Sequence, residues 1–98
     1  GRHVTADASV RMPPAAAADR VAQLRANPPH EIGGRGVEST EEYAQANLLR
    51  FELEGGVRVQ IRPSGTEPKV KLYAEGVDVP RDLLTSLLAA LASLAPPM

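Results

Sequence analysis

Apolar and polar residues alternate with a period of two in four stretches of this chain, and no other feature constrains its fold as much. Val4, Ala6, Ala8, Val10 and Met12 alternate with Thr5, Asp7, Ser9 and Arg11. Leu49, Phe51 and Leu53 alternate with Arg50, Glu52 and Glu54, and Val57, Val59 and Ile61 with Arg58, Gln60 and Arg62. In the last stretch Val70, Leu72 and Ala74 alternate with Lys69, Lys71, Tyr73 and Glu75. Successive side chains of a strand point to opposite faces, so each stretch predicts a strand with one face to bury and one to leave wet. That excludes a parallel sheet covered by helices on both sides, whose strands are apolar throughout. Gly55-Gly56, between two alternating runs, marks a hairpin.

Two helical segments complete the pattern. Pro13-Pro14 stops the first strand and opens a helix, since the first helical turn does not use the N–H that proline lacks. Ala17, Val21 and Leu24 share one face of this alanine-rich helix, Arg20 and Gln23 lie on its flank, and Asn27-Pro28-Pro29 ends it. Asp78-Val79-Pro80 opens a second helix, where Leu83, Leu84, Leu87, Leu88, Leu91 and Leu94 form an apolar stripe before Pro96-Pro97 closes it. Residues 30–42 contain Gly33-Gly34-Arg35-Gly36 and no sustained period. They read as a loop with a short extended segment at Glu31–Ile32 or around Val37, and Ser39 with Glu42 has the spacing of a helix capping box. The expected fold is α+β: a two-layer β-α-β-β-β-α unit, its sheet mainly antiparallel, with both helices on the apolar face. The opposite face is left to solvent or to another domain.

At 98 residues the chain makes one domain. Eleven Lys plus Arg against 12 Asp plus Glu leave a net charge of -1, whereas nucleic-acid-binding domains of this size carry a basic excess. The aromatic content of 3% also offers few platforms for stacking bases. A nucleic-acid module using Arg58, Arg62, Lys69 and Lys71, or a purely structural interaction module, is the competing reading. The absence of cysteine excludes disulfides and thiolate metal sites, and His3 and His30 have no clustered carboxylates, so no metal is expected in this chain. Among single residues, Arg35 and His30 read as solvated loop positions. No apolar run is long enough to cross a bilayer and the first residues are too polar for a secretory signal, so no membrane partner and a cytoplasmic location are expected. Gly1 at the start suggests an excised or processed piece of a longer protein.

The stretch with chemical character is Arg62-Pro63-Ser64-Gly65-Thr66-Glu67-Pro68-Lys69. The Arg62 guanidinium, at a strand end, is a planar fork matched to two phosphate oxygens. Ser64 and Thr66 supply hydroxyl donors, and Gly65 between them allows a positive φ and close approach of a ligand. Backbone amides from Ser64 to Glu67 can then converge on an anion as a nest, with Lys69 adding a point charge. Pro63 and Pro68 fix φ on either side. Glu67 repels a phosphate unless Lys69 or Arg62 compensates it. Composition alone fits an ordinary hairpin loop equally well.

The segment from Arg62 to Glu75 resembles the C-terminal signature of the α-D-phosphohexomutases, the phosphoglucomutase/phosphomannomutase family. The hairpin Leu49-Arg50-Phe51…Gly55-Gly56-Val57-Arg58-Val59 and the order of elements are also similar to that family's fourth and last domain. The resemblance is strong from Val57 to Glu75 and weak before about Ala46. It implies a TATA-binding-protein-like α+β domain joined by a linker to three larger α/β domains. It further implies an enzyme that interconverts hexose 1- and 6-phosphates by way of a phosphoserine and a bisphosphorylated intermediate, with Mg²⁺ held at that serine. Carried over by position, Arg62, Ser64, Gly65, Thr66 and Lys69 would contact the substrate phosphate that is not reacting. The chain has no matching serine-nucleophile, three-aspartate metal or sugar-selecting loop, so it is expected to be inactive alone. Where the family often has Asp-Gly before the Leu49–Leu53 strand, this chain has Ala46-Asn47, which alters a turn and leaves the phosphate assignment intact.

Overall fold

The computed structural model describes residues 1–94, so the proposed helix stop at Pro96-Pro97 lies outside the described residues. The alternating stretches become β1 (His3–Arg11), β4 (Leu48–Leu53), β5 (Val57–Pro63) and β6 (Lys69–Val77), and the helices α1 (Pro14–Ala26) and α2 (Arg81–Leu94). Two strands join them, β2 (Glu31–Ile32) and β3 (Arg35–Tyr43), followed by a 3₁₀ turn at Ala44–Ala46. All six strands form one sheet in the order β1-β6-β5-β4-β3-β2, with every neighbouring pair antiparallel. The α+β two-layer expectation holds. The sheet has six strands where the alternation predicted four.

Leu49, Phe51, Leu53, Val57, Val59, Ile61, Val70 and Leu72 are buried on one face, as their spacing predicts. Both helices cover that face. Ala17, Val21 and Leu24 of α1 pack over β4, β5 and β6, and Leu84, Leu87, Leu88 and Leu91 of α2 pack over β1 and β6. The leucine stripe is thus used inside the domain. Burying an aliphatic side chain contributes about 1.5–3 kcal/mol, so this continuous layer supplies most of the drive to fold.

Residues 35–43 are a strand and not a loop. β3 is an outer strand, and along it only Arg35, Gly36, Val37 and Thr40 are even half-buried. It is held by its ladder to β4, and the register slips between Val37 and Ser39, where a bulge breaks the alternation. Ser39 and Glu42 lie within this strand, so the capping-box reading fails. Glu42 instead pairs with Arg25 of α1 at 2.6 Å, across the two layers. Arg35 donates to the Glu54 carbonyl at 2.9 Å, and the His30 carbonyl accepts from Val37 at 2.9 Å, so both residues serve the fold. Asn47 turns the chain into β4 at φ 52, a left-handed conformation that asparagine tolerates well.

Candidate functional site

The 64–68 loop joins β5 to β6, and its local bonds explain its shape. The Ser64 N–H donates to the Lys69 carbonyl at 2.9 Å, closing the hairpin, and the Lys69 N–H donates to the Glu67 carbonyl at 2.8 Å. Ser64 Oγ accepts from the Thr66 and Glu67 amides at 3.3 and 3.1 Å. The serine thus holds two of the amides expected to form an anion nest, and it sets the loop's curvature. Gly65 does not have a positive φ, contrary to the sequence expectation, and a Cβ placed there would meet nothing within 4 Å. What glycine provides here is open space against the backbone. Gly65, Thr66 and Glu67 are exposed and Ser64 is half-buried. Lys69 Nζ sits 3.3 Å from Glu67 Oε1, so the loop carboxylate is compensated locally.

The open face of the sheet sorts its charges by position. In register, Arg62 lies opposite Lys71, and Lys71 lies opposite Ser9. Arg11 lies opposite Lys69, and the Met12 N–H donates to the Pro68 carbonyl at 2.9 Å, tying the end of β1 to the loop. Arg62, Lys71 and Arg11 therefore gather beside the loop, and among the described residues none of them has an ion-pair partner. Arg62 Nη2 reaches the Tyr73 hydroxyl at 3.5 Å, at the limit of a hydrogen bond.

The other end of the same face is neutralised. Arg58 Nε donates to Glu52 Oε2 at 2.7 Å and its Nη1 to Glu75 Oε1 at 2.9 Å, while His3 Nε2 sits 3.1 Å from Glu75 Oε2. The hydrogen bond it donates to Glu52 is the main reason the Arg58 guanidinium is held above its ordinary range, and Glu75 adds to it. Arg50 is likewise occupied, its Nη1 2.9 Å from the Tyr43 hydroxyl and its guanidinium 4.7 Å from that ring's centre. At the loop end Arg62, Lys71 and Arg11 leave positive charge without an ion-pair partner among the described residues, which suits an anion with several oxygens.

The structure thus brings Arg62, Ser64, Gly65, Thr66 and Lys69 to one corner. The phosphate reading from sequence did not include Lys71, named there only for a nucleic-acid surface, or Arg11. Alternation puts both on the polar face, but only strand pairing brings β1 beside β6 and Lys71 opposite Arg62. Among the described residues no group of three His, Asp or Glu side chains is placed to hold a metal ion. No helix in the described residues is long and apolar enough to cross a membrane.

Fold and corner together define a class: a two-layer α+β domain carrying a cation-rich loop at one end of its open sheet face. The chain belongs to the phosphoglucomutase/phosphomannomutase family as its C-terminal domain, and the family's model for that domain matches residues 8–93. It is 46% identical over 65 residues to a probable phosphomannomutase of Haemophilus influenzae, an alignment covering 60% of this chain and 13% of that protein. It is 35% identical over 68 residues to a phosphoglucomutase of Staphylococcus aureus strain N315, covering 51% of this chain and 12% of that protein. The chain thus spans about an eighth of the length of these relatives.

Proposed function

We propose that this chain is the last domain of a larger cytoplasmic phosphohexomutase, and that its 62–69 loop grips the phosphate of a hexose phosphate or bisphosphate that is not reacting. The observation that carries this reading is the uncompensated group Arg62, Lys71 and Arg11 beside the loop, on a face whose other end is closed by ion pairs. Family membership and the names of the relatives, phosphomannomutase and phosphoglucomutase, support the substrate class.

The work assigned to these residues is binding and orientation. Arg62 and Lys71 approach phosphate oxygens from the sheet, and Arg11 and Lys69 from the β1 side. The Thr66 hydroxyl, the Gly65 amide and the Ser64 hydroxyl approach from the loop. Charge-assisted hydrogen bonds contribute roughly 1.5–3 kcal/mol each, so a few suffice for micromolar to millimolar affinity after ordering costs. Energy from a phosphate remote from the chemistry holds the reacting end in place, and closure of the domain onto the substrate excludes water. A phosphorylated serine, and the Mg²⁺ that supports phosphoryl transfer, belong to other parts of the parent enzyme. The chain by itself catalyses nothing in this reading.

Titration of inorganic phosphate into the ¹⁵N-labelled chain tests the grip. Amide shifts centred on Ser64–Glu67 that saturate in the micromolar to millimolar range are expected, weakening as salt rises. Shifts elsewhere only, or none at millimolar phosphate, would refute it.

A further inference from the structure

One step along the open face from the cationic corner the chemistry changes. Gln60 of β5, Tyr73 of β6 and Asp7 of β1 lie side by side in register, two residues inward from Arg62, Lys71 and Ser9. This rung and the next line a cavity of about 340 Å³, with Thr5, Asp7, Gln60, Tyr73, Glu75 and Arg81 among its walls. Its polar groups are mixed in kind. Gln60 Oε1 accepts from Arg50 Nε at 3.4 Å, which leaves the Gln60 NH₂ group as its donor. The Tyr73 and Thr5 hydroxyls donate and accept. Both oxygens of Glu75 are already engaged by His3 and Arg58, which leaves the Asp7 carboxylate, exposed and without an ion-pair partner among the described residues, as the strong acceptor.

We infer that this rung is a polyol subsite: it takes the hydroxyls of the sugar whose phosphate sits at the Arg62–Lys71 corner. This rests on the phosphate grip and extends it from an anion site to one that reads the attached ring. At the rung itself Asp7 would repel a second phosphate, and across the cavity its carboxylate offsets the charge of Arg81. Neutral hydroxyls suit it, since a carboxylate accepts from them while Gln60 and Tyr73 donate to their oxygens. The spacing agrees. Two residues along a strand span about 6.8 Å, roughly the reach from a phosphorus to the middle of the pyranose it esterifies. Glu75, held by Arg58 and His3 on the rung beyond, stands in the far wall.

The test compares methyl phosphate with hexose 6-phosphates, using both the glucose and mannose forms, on the ¹⁵N-labelled 98-residue chain. Both kinds of ligand should shift Ser64–Glu67. Only the hexose phosphates should also shift the Gln60 side-chain amide and the Asp7 and Tyr73 backbone amides, and they should bind about tenfold tighter, as two added hydrogen bonds would give. In Gln60→Ala and Asp7→Asn variants that ratio of affinities should fall toward one. Asp7→Asn keeps shape and fold while removing the strong acceptor, so misfolding cannot explain its loss. Equal affinity for the methyl and hexose phosphates, or a ratio unmoved by both variants, overturns the subsite while the loop shifts uphold the phosphate grip. Absence of loop shifts with either ligand overturns the grip, and the subsite built on it falls as well.

Discussion

Arg62 and Lys71 stand directly opposite each other across the β5–β6 ladder, two cations in register on the open face of the sheet. Opposed like charges destabilise a sheet by up to about 1 kcal/mol, so the pair opposes folding and favours an anion. Lys71→Gln should therefore raise the melting temperature by up to roughly 5 °C. The same change should weaken phosphate binding about tenfold, through loss of one charge-assisted contact. Thermal melts run beside phosphate titrations check both signs at once; a variant that loses stability and keeps its affinity would contradict the assignment.

Gly65 and Gly33 should respond to alanine in opposite ways. Gly33 sits at φ 58, and a Cβ there would come within 2.7 Å of Leu87 Cδ2, under the α2 helix. Gly33→Ala should cost roughly 1–3 kcal/mol of stability and leave loop chemistry alone. Gly65→Ala meets no neighbour, so its stability should hold or rise by about 0.4–1 kcal/mol through the unfolded chain. Its phosphate affinity should drop, because the methyl group fills the space a ligand needs. Chemical denaturation and titration of the two variants separate the effects.

Ser64 has a shaping role that its hydroxyl donor capacity alone does not reveal. Its Oγ holds the Thr66 and Glu67 amides, so Ser64→Ala should speed hydrogen exchange at those two positions and weaken phosphate binding, with little change in global stability. Unchanged exchange at Thr66 and Glu67 would show that the loop keeps its curvature by other means.

The Arg58 guanidinium should act as a structural clamp whose own charge does not change at ordinary pH. Its guanidinium is raised above its usual value by the Glu52 hydrogen bond, so the stabilisation is fully present below the unfolded-state value and is lost only as pH rises through the still higher folded one. Titration of Arg58 therefore contributes no slope to stability between pH 6 and 9. The side chain is 37% exposed, and solvent screening limits what its loss can cost. Arg58→Met should lower stability by no more than about 1 kcal/mol, less in high salt, without affecting phosphate binding. Urea melts at two salt concentrations measure this.

Legibility followed burial. Each element with a buried face showed its period in the residues: β4, β5 and β6 with strict alternation, α1 through Ala17, Val21 and Leu24, α2 through its leucines. β3 showed none. It lies on the sheet's outer side, buries little and carries a bulge, so backbone pairing rather than side-chain burial specifies it, and residue types scarcely report backbone pairing. Ser39 and Glu42 imitated a helix start for the same reason: the capping spacing is short and local, and the ladder to β4 overrode it. Within the loop, residue types suggested a run of donors open to an anion, yet the use of each group in the structure differs from that reading. Gly65 needs no unusual φ, and Ser64 spends its oxygen on the loop itself.

By itself the sequence determined which side chains are apolar, which face each takes along its own strand or helix, and that a short run of donors sits at a hairpin end, because these follow from periods of a few residues. Only the tertiary structure decided that β1 closes beside β6, which sets Arg11 next to Lys69 and lines Asp7 up with Tyr73 and Gln60. These residues are far apart along the chain. Strand pairing is chosen by the closing of the whole apolar layer under two helices, and local sequence carries little record of that choice.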